Sequence, residues 1–171
     1  LIHGGGHEMG FRSGTLNVPG IVGFGAAAAI RMKEMKADEH RIRDHRDHFE
    51  AGLLAAVEEA YVNGDLDGRL PTVSNIRVTG VDSQAVMSRF RTRLAISAGS
   101  ACSSAHPEPS HVLLAMGLTV AQAKGSFRIS FGAPTTREEV TLAIEWLATS
   151  IAEERNQSPL WQLFTKGVDI S

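Results

Sequence analysis

Apolar and polar positions alternate with changing period along the chain, and the period predicts the elements. Between Met35 and Ala60 the residues are largely charged, with Ile42, Phe49, Leu53 and Val57 at helical intervals, which predicts an amphipathic helix. The stretch before it, Ile21 to Met35, is Gly- and Ala-rich and predicts a tightly packed helix, with Pro19 at its first position. Asn63-Gly64-Asp65 predicts a turn, Thr72 to Val78 a strand, and Asp82 or Ser83 the cap of a short helix to about Phe90. Leu94 to Ile96 is a short apolar strand by the same reasoning. His111 to Met116 starts a helix stopped by Gly117, and Thr119 with Gln122 has capping-box spacing for another. From Ser126 to Phe131 the period is two: Phe127, Ile129 and Phe131 on one face, Arg128 and Ser130 on the other. Thr135 with Glu138, or Thr136 with Glu139, caps a last long helix to about Glu154, striped by Val140, Ile144, Leu147 and Ile151. Residues 156–171 read as a tail with exposed aromatics. Strands and helices without regular βαβ spacing indicate an α+β layer domain.

Composition narrows the function classes. With 171 residues the chain is one domain, or one domain and part of another. Hydrophobic residues at 43% and charged residues at 21% exclude a disordered chain. A net charge of −2 argues against nucleic acid or an anionic membrane as a partner bound through bulk charge, and no apolar run reaches bilayer length. The single cysteine, Cys102, excludes an internal disulfide and a multi-thiolate zinc site, and suits a reducing compartment. The chain opens at Leu1 inside a glycine-rich phrase, without a signal peptide, and is expected to be an internal piece of a longer protein.

Three places could carry chemistry. Cys102 lies in a loop of small residues, Ser97 to Pro109, where a thiol is either a small apolar filler or an accessible nucleophile with His106 or His111 as proton partners. Arg128 is either a surface ion-pair residue or a guanidinium held by a strand for bidentate carboxylate binding. Gly4-Gly5-Gly6 and Arg12-Ser13-Gly14-Thr15 either pack tightly or offer backbone amides and a hydroxyl to a phosphate; no Walker A lysine follows. His40, His45 and His48 do not share one helix face, so a metal site is not expected.

Longer phrases then resemble one family. GGGHEMGFRSGTLNVPGIVGFG, SAGSACSSAHPEPSHVLLAMGL, FRISFGAPTTREEV and SPLWQLFTKGVDIS are similar to the C-terminal part of NifS/IscS-type cysteine desulfurases of the class V aminotransferase superfamily. The long Cys loop resembles the first group of these enzymes, not the second, whose short RxGHHC-type loop is absent. The resemblance implies an α+β small C-terminal domain of a fold type I pyridoxal-phosphate transferase, preceded by the end of the α/β large domain. On that reading residues 1–35 end the large domain, 36–155 form the small domain, and 156–171 are a tail that docks partners. It implies Cys102 as the nucleophile that receives sulfur, Arg128 as the ligand of the substrate carboxylate, and Thr15 as a hydroxyl reaching the cofactor phosphate of the other subunit.

The same resemblance implies pyridoxal 5′-phosphate as cofactor and L-cysteine as substrate. It implies a homodimer, iron–sulfur scaffold and sulfur-acceptor partners, and a bacterial cytoplasmic or a mitochondrial location. The family's cofactor lysine sits in a Ser-x-His-Lys phrase, and Lys33, Lys36, Lys124 and Lys166 lie in no such phrase, so the chain alone is expected to be inactive. A cofactor-free sulfur carrier using Cys102 and a pure interaction module are the rival classes.

Overall fold

The computed structural model describes residues 2–97 and 108–168. The chain divides into two compact units, Leu1–Ala37 and Asp38–Ser171.

In the first unit a short parallel bridge joins Ile2 to Arg12, and Ser13 donates to the Ile2 carbonyl from its backbone N–H (3.1 Å) and its hydroxyl (2.9 Å). Gly4 passes so close to Ser13 that a Cβ would lie 2.7 Å from its Oγ, with φ at +153°, so only glycine suits this position. Helix α1 spans Val18–Ala56 without interruption, where two helices were expected. The small residues between Gly20 and Ala29 carry helix perfectly well, and the change from Ala-rich to charged composition marks no break. Pro19 is its second residue; Asn17 caps it, Oδ1 accepting from the Gly20 N–H at 3.1 Å.

The second unit holds β1 (Ala60–Val62), β2 (Val73–Val78), α2 (Ser83–Ser88), α3 (His111–Ala115), α4 (Val120–Lys124), β3 (Ser126–Ser130), α5 (Arg137–Gln157) and α6 (Pro159–Phe164). The strands form an antiparallel sheet in the order β1-β2-β3. Phe127 and Ile129 point to the inner face with Ile76 and Val78, where they meet Phe49 and Leu53 of α1 and Leu147 and Ile151 of α5. Phe49 and Phe131 pack edge to face at 5.7 Å. Gly125 joins α4 to β3; any Cβ there would sit 2.5 Å from the Val78 carbonyl oxygen.

Four expectations need correction. The amphipathic helix stops at Ala56, because Glu59 takes a left-handed φ of 52° and residues 60–62 pair with β2 instead. Leu94 to Ile96 are not a strand: Arg93 and Leu94 donate back to the Phe90 carbonyl in a turn, and Ser97 alone bridges to β3. Asn63 to Asp65 bend without a hydrogen-bonded turn, Gly64 taking φ +91°. The aromatics of the tail are not exposed: Trp161 and Phe164 are half-buried on α6 and stack on each other at 5.3 Å, and Ser158 caps that helix by accepting from the Trp161 N–H. Capping at α5 falls to Thr136 with Glu139, while the Thr135 hydroxyl accepts from the Gly132 N–H. The Thr119–Gln122 capping box is present on α4.

Candidate active site

Strand β3 fixes Arg128 by its neighbours. Phe127 and Ile129 are buried at 0% and 5% exposure, so the intervening side chain must leave through the opposite, solvent face of the sheet. Its backbone is held on both sides. The Arg128 N–H donates to the Ser97 carbonyl at 2.7 Å and its carbonyl accepts from the Ser97 N–H at 3.1 Å; across the sheet its Cα partner is Asn75 of β2. The guanidinium has no hydrogen-bond or ion-pair partner among the described residues. A rigid strand presenting an unpaired guanidinium suits a ligand with two acceptor oxygens.

Polar groups on the same sheet face are tied together. Arg77 donates to Asn63 Oδ1 at 2.8 Å, Asn63 Nδ2 donates to Asn75 Oδ1 at 2.6 Å and to Ser126 Oγ at 3.1 Å, and Ser126 Oγ donates to the Gln122 carbonyl. The sequence reading named none of these. The period-two argument that turned Arg128 outward, applied to Thr72–Val78, puts Asn75 and Arg77 on one face, but their facing of Arg128 depends on register.

Cys102 and His106 lie outside the described residues. Ser97, five residues before Cys102, is the described residue nearest to it on the N-terminal side, and it is bonded to the Arg128 backbone. His111 is exposed at the start of α3.

Thr15 belongs to the first unit. There the Arg12 guanidinium folds onto the turn, donating to the carbonyls of Gly14 (2.7 Å) and Thr15 (3.3 Å). The Ser13 hydroxyl is spent on Ile2, whereas the Thr15 hydroxyl is exposed and has no partner among the described residues. Of the hydroxyls in the Arg-Ser-Gly-Thr phrase, Thr15 is therefore the one free to donate to a phosphate. For a pyridoxal phosphate the fit is limited to that donor. Lys33 and Lys36 of α1, Lys124 of α4 and Lys166 are all exposed, and none offers the enclosed amine that covalent attachment needs.

His40 lies 3.7 Å from Asp44, His45 is buried, and His48 touches Thr141 and Arg137 of α5. No group of three or more metal-ligating side chains occurs among the described residues. At the other end of the sheet, Arg155 donates to the Thr79 and Glu58 carbonyls with Trp161 stacked 3.7 Å over it; burial lowers its pKa from the usual arginine value. Gly80, with φ +79°, lets Trp161 lie against the backbone. Helix α6, α4 and residues 78–82 border a groove of about 1010 Å³.

Comparison with known proteins places this arrangement. The chain is 46% identical over 170 residues to cysteine desulfurase IscS of Shewanella loihica, covering 99% of this chain and 42% of that protein. It is 44% identical over 170 residues to cysteine desulfurase IscS of Neisseria meningitidis serogroup A, with the same coverage. It therefore spans about two fifths of the length of the curated relatives it matches, and the part matched is their C-terminal portion. Among solved structures, a NifS-like protein from Rickettsia africae superposes with a TM-score of 0.75 at 30% identity, over 89% of this chain and 39% of that one. DndA from Streptomyces lividans gives a TM-score of 0.54 at 33% identity, over 76% and 36%. The architecture is thus the α+β small domain found in NifS-like enzymes of fold type I. The class-V aminotransferase model matches residues 4–142, and the chain belongs to that family.

Proposed function

We propose that this chain is the C-terminal portion of a pyridoxal-phosphate-dependent cysteine desulfurase, which moves sulfur from L-cysteine onto Cys102 and releases L-alanine. The observation that supports it most is Arg128: a guanidinium without a partner among the described residues, on a strand bonded through its backbone to Ser97, where the Cys102 loop begins. Five residues of chain span at most about 18 Å, so Cys102 stays within one loop's reach of the strand that carries the arginine.

Each residue has one task in this reading. Arg128 takes the substrate carboxylate in a charge-assisted, bidentate contact and so orients the amino acid. Thr15 donates its hydroxyl to the cofactor phosphate, in the homodimer that of the partner subunit. Pyridoxal phosphate, when bound, supplies the electron sink that activates the substrate carbons. The Cys102 thiolate attacks the substrate sulfur: an S–S bond forms on Cys102, the substrate's Cβ–S bond breaks, and the carbon skeleton gains a proton at Cβ and leaves as L-alanine. The persulfide then passes to sulfur-acceptor and iron–sulfur scaffold proteins, with residues 156–171 as their docking tail. A reducing bacterial cytoplasm is the compartment proposed; no described helix is long and apolar enough to cross a membrane.

The test uses the complete enzyme. Arg128→Ala removes the partner of a buried carboxylate, which costs roughly 2–5 kcal/mol, and KM for L-cysteine should rise about thirtyfold or more. Cys102→Ser should abolish persulfide formation with cofactor absorbance intact. An unchanged KM in the first variant, or persulfide in the second, overturns the assignment.

A further inference from the structure

We infer that Asn75 is a second carboxylate ligand beside Arg128, so that substrate selection rests on a pair of side chains from neighbouring strands. The inference rests on the desulfurase reading of Arg128 and extends it to a residue on β2.

The register places the pair. Asn75 and Arg128 are Cα partners in the antiparallel β2–β3 ladder. Both spend their outward backbone groups elsewhere: the Asn75 carbonyl accepts from the Asn63 N–H at 2.8 Å, and Arg128 exchanges both its bonds with Ser97. The bonds between β2 and β3 at Thr72–Phe131 and Val78–Gly125, three positions to either side, set the alternation of the ladder. Asn75 and Arg128 therefore form a non-hydrogen-bonded pair, the kind whose Cα atoms approach to about 4.5 Å and whose side chains lie closest.

Donor logic then fixes which end of the Asn75 amide is free. Arginine can only donate, so Arg77 on Asn63 makes Oδ1 the acceptor end of Asn63. Asn63 must present its amide nitrogen to Asn75, and Asn75 must answer with Oδ1. What remains on Asn75 is its NH₂ group, with no acceptor among the described residues. Asn75 is half-buried, so this donor pair is partly withdrawn from water. An amide NH₂ and a guanidinium at paired positions on one face of the sheet, all donors, suit a ligand with two acceptor oxygens, such as a carboxylate.

Asn75→Asp separates this role from a structural one. The aspartate keeps an oxygen for Asn63 and changes the volume little, but replaces the free donors by a negative charge facing Arg128. In the complete holoenzyme, KM for L-cysteine should rise about tenfold to a hundredfold, whereas KM for L-cysteine methyl ester, which lacks the carboxylate charge, should change less than threefold. The unfolding midpoint should stay near that of the unmodified enzyme. Asn75→Ala, read by the same acid-to-ester ratio, covers the case in which the aspartate variant does not fold; there the ratio should rise several-fold. If Arg128→Ala raises the ratio and neither Asn75 variant does, Asn75 is structural and the inference is wrong. If Arg128→Ala leaves the ratio unchanged, the carboxylate reading of Arg128 fails as well.

Discussion

The two halves of helix α1 have the same backbone and opposite surroundings. Up to Ala37 no residue of the helix is buried; Ile21, Val22, Phe24, Ile30 and Met32 are all more than half exposed. From Asp38 on, Ile42, His45, Arg46, Phe49, Glu50 and Leu53 are buried. Apolar residues are therefore not what separates the halves. The second half places them on one stripe with polar residues between, and its own unit supplies a sheet and α5 to close a core over them. The first half is apolar on several faces and finds no cover within its unit. Helix formation is local, whereas stability requires a partner face.

The largest test of that contrast is Glu50. Its carboxylate accepts two bonds from Arg69, at 2.7 and 2.6 Å, and one from the Ser74 hydroxyl at 2.6 Å, all near the core. Glu50→Ala strands a guanidinium and a buried hydroxyl, and should lower unfolding free energy by roughly 3–5 kcal/mol. Arg43→Ala about two turns earlier breaks the exposed Arg43–Glu39 pair and should cost less than about 0.5 kcal/mol. Urea titration of both variants gives the answer; equal losses would show that burial is not the controlling variable.

Core deletion comes next. Leu53 is fully buried, and Leu53→Ala should cost about 2–5 kcal/mol. Phe24, 79% exposed, should change stability of this chain by less than about 0.5 kcal/mol when replaced by alanine, and should reduce binding of a hydrophobic dye. A large loss at Phe24 would mean that the first half of α1 is covered after all.

How much of this was legible beforehand follows the distance over which each feature is decided. The faces of Phe127, Arg128 and Ile129, the stripe of α5 and both capping boxes follow from residues within one turn or one strand, and the sequence pattern shows them. Strand β1 does not: three residues, Ala60 to Val62, become a strand only because β2 lies beside them, and the preceding helical pattern reads on through them. The Glu50–Arg69–Ser74 cluster joins residues 19 and 24 positions apart. Asn75 could be placed outward by alternation, but its position opposite Arg128 needs the register. Arg128 was named by its place on an alternating strand and Thr15 by motif; the geometry adds that Ser13 is spent on the backbone, while the Thr15 hydroxyl and the Arg128 guanidinium have no partner among the described residues. Cys102 was named by its loop, and Cys102 itself lies outside the described residues.

Helix caps sharpen the contrast at a smaller scale. Thr136 caps α5, which closes the core, so Thr136→Ala should lower global stability by about 1 kcal/mol. Asn17 caps α1 in the first unit. Asn17→Ala should fray the first turn, seen as faster amide exchange at Gly20 and Ile21, and leave the global unfolding midpoint unchanged, because no buried residue depends on that turn. A shifted midpoint in Asn17→Ala would tie the first half of α1 to the core.

The smallest effect is a pH dependence at His48, where α1 meets α5. The Arg137 guanidinium donates to His48 Nδ1 at 3.2 Å, and since arginine only donates, that nitrogen must hold a lone pair. Nε2 then carries the proton toward Thr141 Oγ1 at 3.3 Å, while the Thr141 hydroxyl donates to the Arg137 carbonyl. Protonating His48 breaks the arginine contact. Its pKa accordingly lies below the ordinary histidine value, through partial burial first and then the positive charges of Arg137 and His45. The unfolded chain takes up this proton near pH 6.5 and the folded chain only at lower pH. Between those two values the unfolded state holds more protons, so stability rises with pH. The contribution is complete above about pH 6.5, is lost as pH falls toward the folded value, and is constant below it. His48→Gln should flatten the part of the stability curve just below about pH 6.5; parallel curves would show that the Arg137 contact does not persist in solution.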